Sequence, residues 1–150
     1  MANHLTLAWA MFDHCLYFNT ASLARVVERL WSAAFKPFGL TPPQAFMLRL
    51  VLAQPGLSQH QIADQLTITR PTATRLLDGL QALGLVQRTL LPTDGRHWSI
   101  QPTDAARELQ PALNQASAAV TQRIQRLIGK QTFTETVGKV KEVCDALKNA

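Results

Sequence analysis

Within seven residues in the middle of the chain stand Thr69, Arg70, Thr72, Thr74 and Arg75. Hydroxyls and guanidiniums hydrogen-bond phosphate oxygens and base edges, so this run has the chemistry to read a nucleic-acid duplex. A second set follows with Arg88 and then Asp94-Gly95-Arg96. An arginine on a projecting turn suits the narrow minor groove, whose negative potential attracts it, and Asp94 can fix its pose through a charge-assisted hydrogen bond. Each feature also has a plainer meaning. Thr69 can be just a helix cap with Arg70 and Arg75 as solubilising charge, and the turn can hold an ordinary surface ion pair worth about 0–1 kcal/mol.

The surrounding pattern tells how these groups are held. From Phe12 to Phe38, Leu16, Leu23, Val27, Leu30 and Ala34 form one helical stripe, closed by Pro37 and Gly39. Thr41-Pro42-Pro43-Gln44 reads as a capping box with proline in the first turn, and it opens a second helix to about Ala53 with Ala45, Leu48 and Leu52 on one side. Ser58-Gln59-His60-Gln61 repeats that logic for a short third helix through Ile62, Ala63 and Leu66. After Thr67-Ile68 a fourth helix starts near Thr69, burying Ala73, Leu76, Leu77, Leu80 and Leu83, and Gly84 ends it.

Periodicity then changes to alternation. Val86, Arg88 and Leu90 share one side of a strand, Trp98 and Ile100 one side of another, and Pro92-Thr93-Asp94-Gly95 turns between them. Pro102-Thr103-Asp104 caps a fifth helix carrying Leu109, Leu113, Ala116, Val120, Ile124 and Leu127, with a bend expected at Pro111. Past Gly129 a sixth helix, opened by Thr132 or Thr134, sets Phe133, Val137, Val140, Cys144 and Leu147 in a seam. The fold class is mainly α with a small β-hairpin wing (α+β). A short helix, a tight turn and a longer helix followed by a hairpin make a winged helix-turn-helix, which places its second helix in the major groove.

A chain of 150 residues is one domain with its oligomerisation helices, and 47% hydrophobic residues with a mean hydropathy of -0.01 exclude a disordered or membrane-spanning protein. Only 17% of residues are charged, so part of the surface is expected to be covered by a partner. The net charge of +5 and pI near 9.8 favour a polyanion. Between Leu66 and Gln101 the cations are Arg70, Arg75, Arg88 and Arg96, against Asp78 and Asp94 alone. Cys15 and Cys144 are too few for a disulfide scaffold, and four scattered histidines have no ligand spacing. No metal, cofactor or catalytic set is implied, and the lack of an early basic region points to the cytoplasm.

Leu40-Thr41-Pro42-Pro43-Gln44, Leu57-Ser58-Gln59-His60-Gln61-Ile62-Ala63, the run Thr69 to Leu77, Gly84-Leu85-Val86-Gln87-Arg88 and Asp94-Gly95-Arg96 together resemble the MarR family of bacterial transcriptional regulators. The resemblance implies a homodimer whose first, fifth and sixth helices interlock while two winged domains read a pseudo-palindromic operator in double-stranded DNA. It further implies that Arg96 enters the minor groove and Asp94 steadies it. Residues 1–38 and 104–150 would then be N- and C-terminal dimerisation segments, with 39–103 as the winged domain. Long apolar stripes at both ends of a short chain argue for the dimer independently.

Regulators of this kind are often repressors released by a small-molecule effector bound between the dimer helices and the winged domain, here around His14, Phe18, Phe38 and Phe46. One branch senses organic peroxides through an N-terminal cysteine. Cys15, followed by Tyr17, lies in a similar region, although its spacing to the Thr41-Pro42-Pro43-Gln44 segment departs from that branch. The alternatives are a winged-helix protein-protein interaction module and a thiol-based redox sensor acting through Cys15.

Overall fold

The computed structural model describes residues 10–90 and 97–150. Its elements run α1 (Leu16–Phe35), a 3-10 turn (Lys36–Phe38), α2 (Pro42–Ala53), α3 (Gln59–Leu66), α4 (Arg70–Ala82), β1 (Val86–Leu90), β2 (Trp98–Pro102), α5 (Asp104–Ile128) and α6 (Lys130–Lys148). Both predicted capping boxes are made. The Thr41 and Ser58 hydroxyls accept the amides of Gln44 and Gln61, whose side chains accept the Thr41 and Ser58 amides in return. Each box satisfies donors that a helix start leaves unpaired, so the entry of the chain into α2 and α3 is fixed locally.

Between α3 and α4 the chain reverses at Thr67, whose φ of 56° is left-handed, and Ile68 N donates back to Ala63 O. The Thr69 hydroxyl then accepts from Thr72 N, and Pro71 sits in the first turn where its missing amide costs nothing. Along α4, Ala73, Leu76, Leu77 and Leu80 are buried against Ala45, Leu48 and Ile62 in one core cluster. α2 and α4 approach closely at Gly79, where a Cβ would lie 2.8 Å from the end of the Gln44 side chain, which would have to move aside. Leu83, expected on the buried face, is instead exposed. It follows the last helical residue, and at Gly84, with φ 71°, the chain has already turned away.

β1 and β2 pair antiparallel with Val86 opposite Pro102, Arg88 opposite Ile100 and Leu90 opposite Trp98. The α2–α3 connection adds to them. Gly56 N donates to Ile100 O, Ile100 N to Leu57 O, and Ser58 bridges to Ser99, so the hairpin base is tied to the start of α3. Thr103 joins the next element by accepting Ala106 N as the cap of α5 and donating its hydroxyl to Gly84 O at 2.7 Å.

Two boundaries differ from expectation. α1 begins at Leu16, because the chain at residues 11–14 is a turn gathered by Asn19 Nδ2, which donates to the carbonyls of Phe12, Asp13 and Cys15. α6 begins at Lys130 directly after Gly129 (φ 87°), without a side-chain cap, so neither Thr132 nor Thr134 opens it. α5 is continuous through Pro111. No described helix is long and apolar enough to cross a membrane.

Candidate nucleic-acid interface

The N-terminal half of α4 divides cleanly. Thr69, Arg70, Thr74 and Arg75 are exposed and Thr72 is half-buried, while Ala73, Leu76 and Leu77 between them are buried. The helical period puts these alanine and leucine positions on the core side and the donors on the other. Of those donors, Thr69 and Thr72 share a 2.9 Å hydroxyl contact, and the Thr74 hydroxyl donates to Arg70 O at 3.1 Å. The first-turn amides add a positive dipole end to this face, which favours an anionic oxygen.

Arg88 is placed differently from the rest. Its guanidinium donates to Asp78 Oδ1 at 2.7 Å and to Gln81 Oε1, both on α4, and its side chain is only 21% exposed. The strand is thereby pinned to the helix. Removing it with Arg88→Ala is expected to lower stability by about 1 kcal/mol in urea unfolding, and Arg88→Lys to recover only part of that, since an ammonium cannot form the planar two-point fork. Asp94 and Arg96 lie outside the described residues.

The residues expected around an effector are not gathered in one place. Phe18 stacks on Phe12 with ring centroids 5.0 Å apart near the start of α1, and His14 is exposed there. Phe46 meets Trp31 at 6.3 Å and Phe35 edge-on at 5.9 Å. Trp31 stands thirteen residues beyond Phe18, about 20 Å along the helix axis. Phe38 packs against the core cluster. Cys15 caps α1, its Sγ accepting Phe18 N at 3.5 Å, and Cys144 is exposed.

A groove of about 420 Å³ between α1 and α2 is lined by Ala24, Val27, Glu28, Trp31, Pro42, Pro43 and Phe46. Of these only Phe46 is among the residues expected around an effector, and a tryptophan on the inner side of the first helix was the available signal for the rest. Behind it lies a polar node. Arg49 Nε donates to Asn114 Oδ1 at 3.0 Å and Nη1 to Ser117 Oγ at 2.9 Å, and Trp31 Nε1 reaches the same Oγ at 3.4 Å. The guanidinium stacks over the Phe46 ring at 5.4 Å, and burial pulls its pKa down from the usual arginine value. Among the described residues no group of His, Cys, Asp and Glu could hold a metal ion.

This arrangement has close counterparts. The sequence model of the MarR family matches residues 38–97, the stretch from the 3-10 turn to the residue before β2. The transcriptional repressor CouR, solved on a 23-mer DNA duplex, superposes with a TM-score of 0.84 and 26% identity over 91% of this chain and 96% of CouR. The likeness in sequence and in fold is to regulators of the MarR family. CouR solved with p-coumaroyl-CoA matches at a TM-score of 0.81 and 25% identity over 89% and 94% of the two chains. In sequence, the HTH-type transcriptional regulator MgrA of Staphylococcus aureus is 27% identical over 137 residues, covering 83% of this chain and 93% of MgrA. These likenesses support a MarR-type transcriptional regulator rather than an enzyme, built on the winged helix-turn-helix expected from the sequence.

Proposed function

We propose that two copies of this chain grip a pseudo-palindromic operator in the cytoplasm, repress transcription there, and let go when a small molecule binds. The observation that carries the reading is the division of α4, whose Thr69, Arg70, Thr74 and Arg75 are exposed at a helix N-terminus above a fully apolar face. Thr69, Arg70, Thr72, Thr74 and Arg75 enter the major groove, and Arg96, steadied by Asp94, takes the adjacent minor groove. Arg88 supports the wing from behind. Residues 39–103 form the reading domain, with 1–38 and 104–150 as dimerisation segments. The CouR complex with duplex DNA supports the partner, and the CouR complex with p-coumaroyl-CoA supports a small-molecule effector. The groove on Trp31 and Phe46 is the place for it, between the dimer helices and the winged domain.

Dimerisation is supported by what a single chain leaves uncovered. α6 buries none of its side chains, and Leu16, Leu23, Val26, Leu127, Val137, Val140 and Leu147 are all exposed. Two α4 helices related by a two-fold axis would lie about 34–36 Å apart, one turn of duplex.

The test is the salt dependence of operator binding. Affinity is expected to fall steeply with added salt, and Arg75→Ala to reduce the logarithmic slope by about 0.9 for each phosphate that a subunit no longer neutralises. Fluorescence anisotropy on a labelled duplex measures both. A flat salt response, or a slope unmoved by Arg75→Ala, would favour docking of this face on another protein.

A further inference from the structure

Gln59 and His60 open α3, yet their side chains engage α4. Gln59 Nε2 donates to Thr74 Oγ1 at 2.5 Å. His60 Nδ1 lies 3.5 Å from Arg70 Nη2, and its Nε2 lies 3.2 Å from Asp64 Oδ2. A guanidinium only donates, so the Arg70 contact needs a bare Nδ1, which puts the ring hydrogen on Nε2 facing the Asp64 carboxylate. One neutral tautomer therefore satisfies both neighbours.

We propose that Gln59 and His60 are positioning residues that hold Thr74 and Arg70 in the pose in which they meet a duplex. The proposal rests on the reading of α4 as the element that enters the major groove. Without such tethers an exposed arginine and a free hydroxyl rotor must be ordered at the moment of binding, and that entropy is subtracted from the affinity for the right sequence. The tethers act before the duplex arrives, so they favour a defined site over DNA in general.

The experiment uses the intact protein, a duplex recovered by selection from random DNA, and a scrambled duplex of the same length. Gln59→Ala is expected to cut the preference roughly 3- to 10-fold, as loss of one hydrogen bond does, with affinity for the scrambled duplex unchanged. In a cycle with Thr74→Val, the double variant should bind as Thr74→Val does alone. His60→Asn supplies Oδ1 in place of the Nδ1 acceptor and should keep the preference, whereas His60→Ala, which leaves Arg70 without an acceptor, should lose part of it. Additive losses in the cycle, or a His60→Ala protein that keeps the full preference, would overturn the positioning role. Thr74→Val and Arg70→Ala variants that bind the operator undiminished would overturn the α4 reading, and this proposal with it.

Discussion

Val140→Asp is expected to give a monomer in sedimentation velocity and to weaken operator binding by about 10²- to 10⁴-fold, the gain that joining two binding modules supplies. Val140 is 50% exposed in the single chain, so an aspartate there meets water and leaves the subunit's own packing intact. Across a two-fold interface the same carboxylate would be stripped of water, at a cost of several kcal/mol per copy. Far-UV circular dichroism should still report helix, because Phe35, Leu48, Leu77, Ile100 and Leu113 build the core without any residue of α6. A Val140→Asp protein that sediments as a dimer would place the interface elsewhere.

Phe35→Ala is the largest expected loss within one chain, about 3–5 kcal/mol in urea unfolding, combining the forfeited burial with the cavity left behind. Phe35 is wholly buried, meets Phe46 edge-on, and its carbonyl accepts Leu40 N at 3.4 Å as α1 turns into the winged domain. Phe46→Ala should cost less, since that ring is 39% exposed in the groove. Equal losses at the two positions would mean that the groove is closed in solution.

How far each feature was legible in the sequence follows how far apart its partners stand. The boxes at Thr41 and Ser58, the proline in the first turn of α4 and the positive φ at Gly84 are local, and the types of four successive residues determine them. The polar face of α4 was equally readable, because burial there follows a 3.6-residue period. The start of α1 was not. A cysteine is an uncommon cap, and the turn before it is held by Asn19 reaching back across six and seven residues. Arg88 reads as a wing cation until Asp78 and Gln81, a helix away, take its guanidinium. The Arg49 node is further still, joining positions 65 and 68 residues apart, and no spacing rule spans that distance. The effector residues were grouped by type and rough location, whereas helix length sets Phe18 and Phe46 far apart.

That node also limits how the molecule can change shape. One hydroxyl, on Ser117, serves donors from two different helices, and among the described residues the arginine has no carboxylate to fall back on. Sliding α1, α2 or α5 past another would strand a half-hidden cation, so the three behave as a rigid bracket. A signal that resets the spacing of two reading heads would then be transmitted by tilting whole subunits about their shared helices, with little bending inside either one.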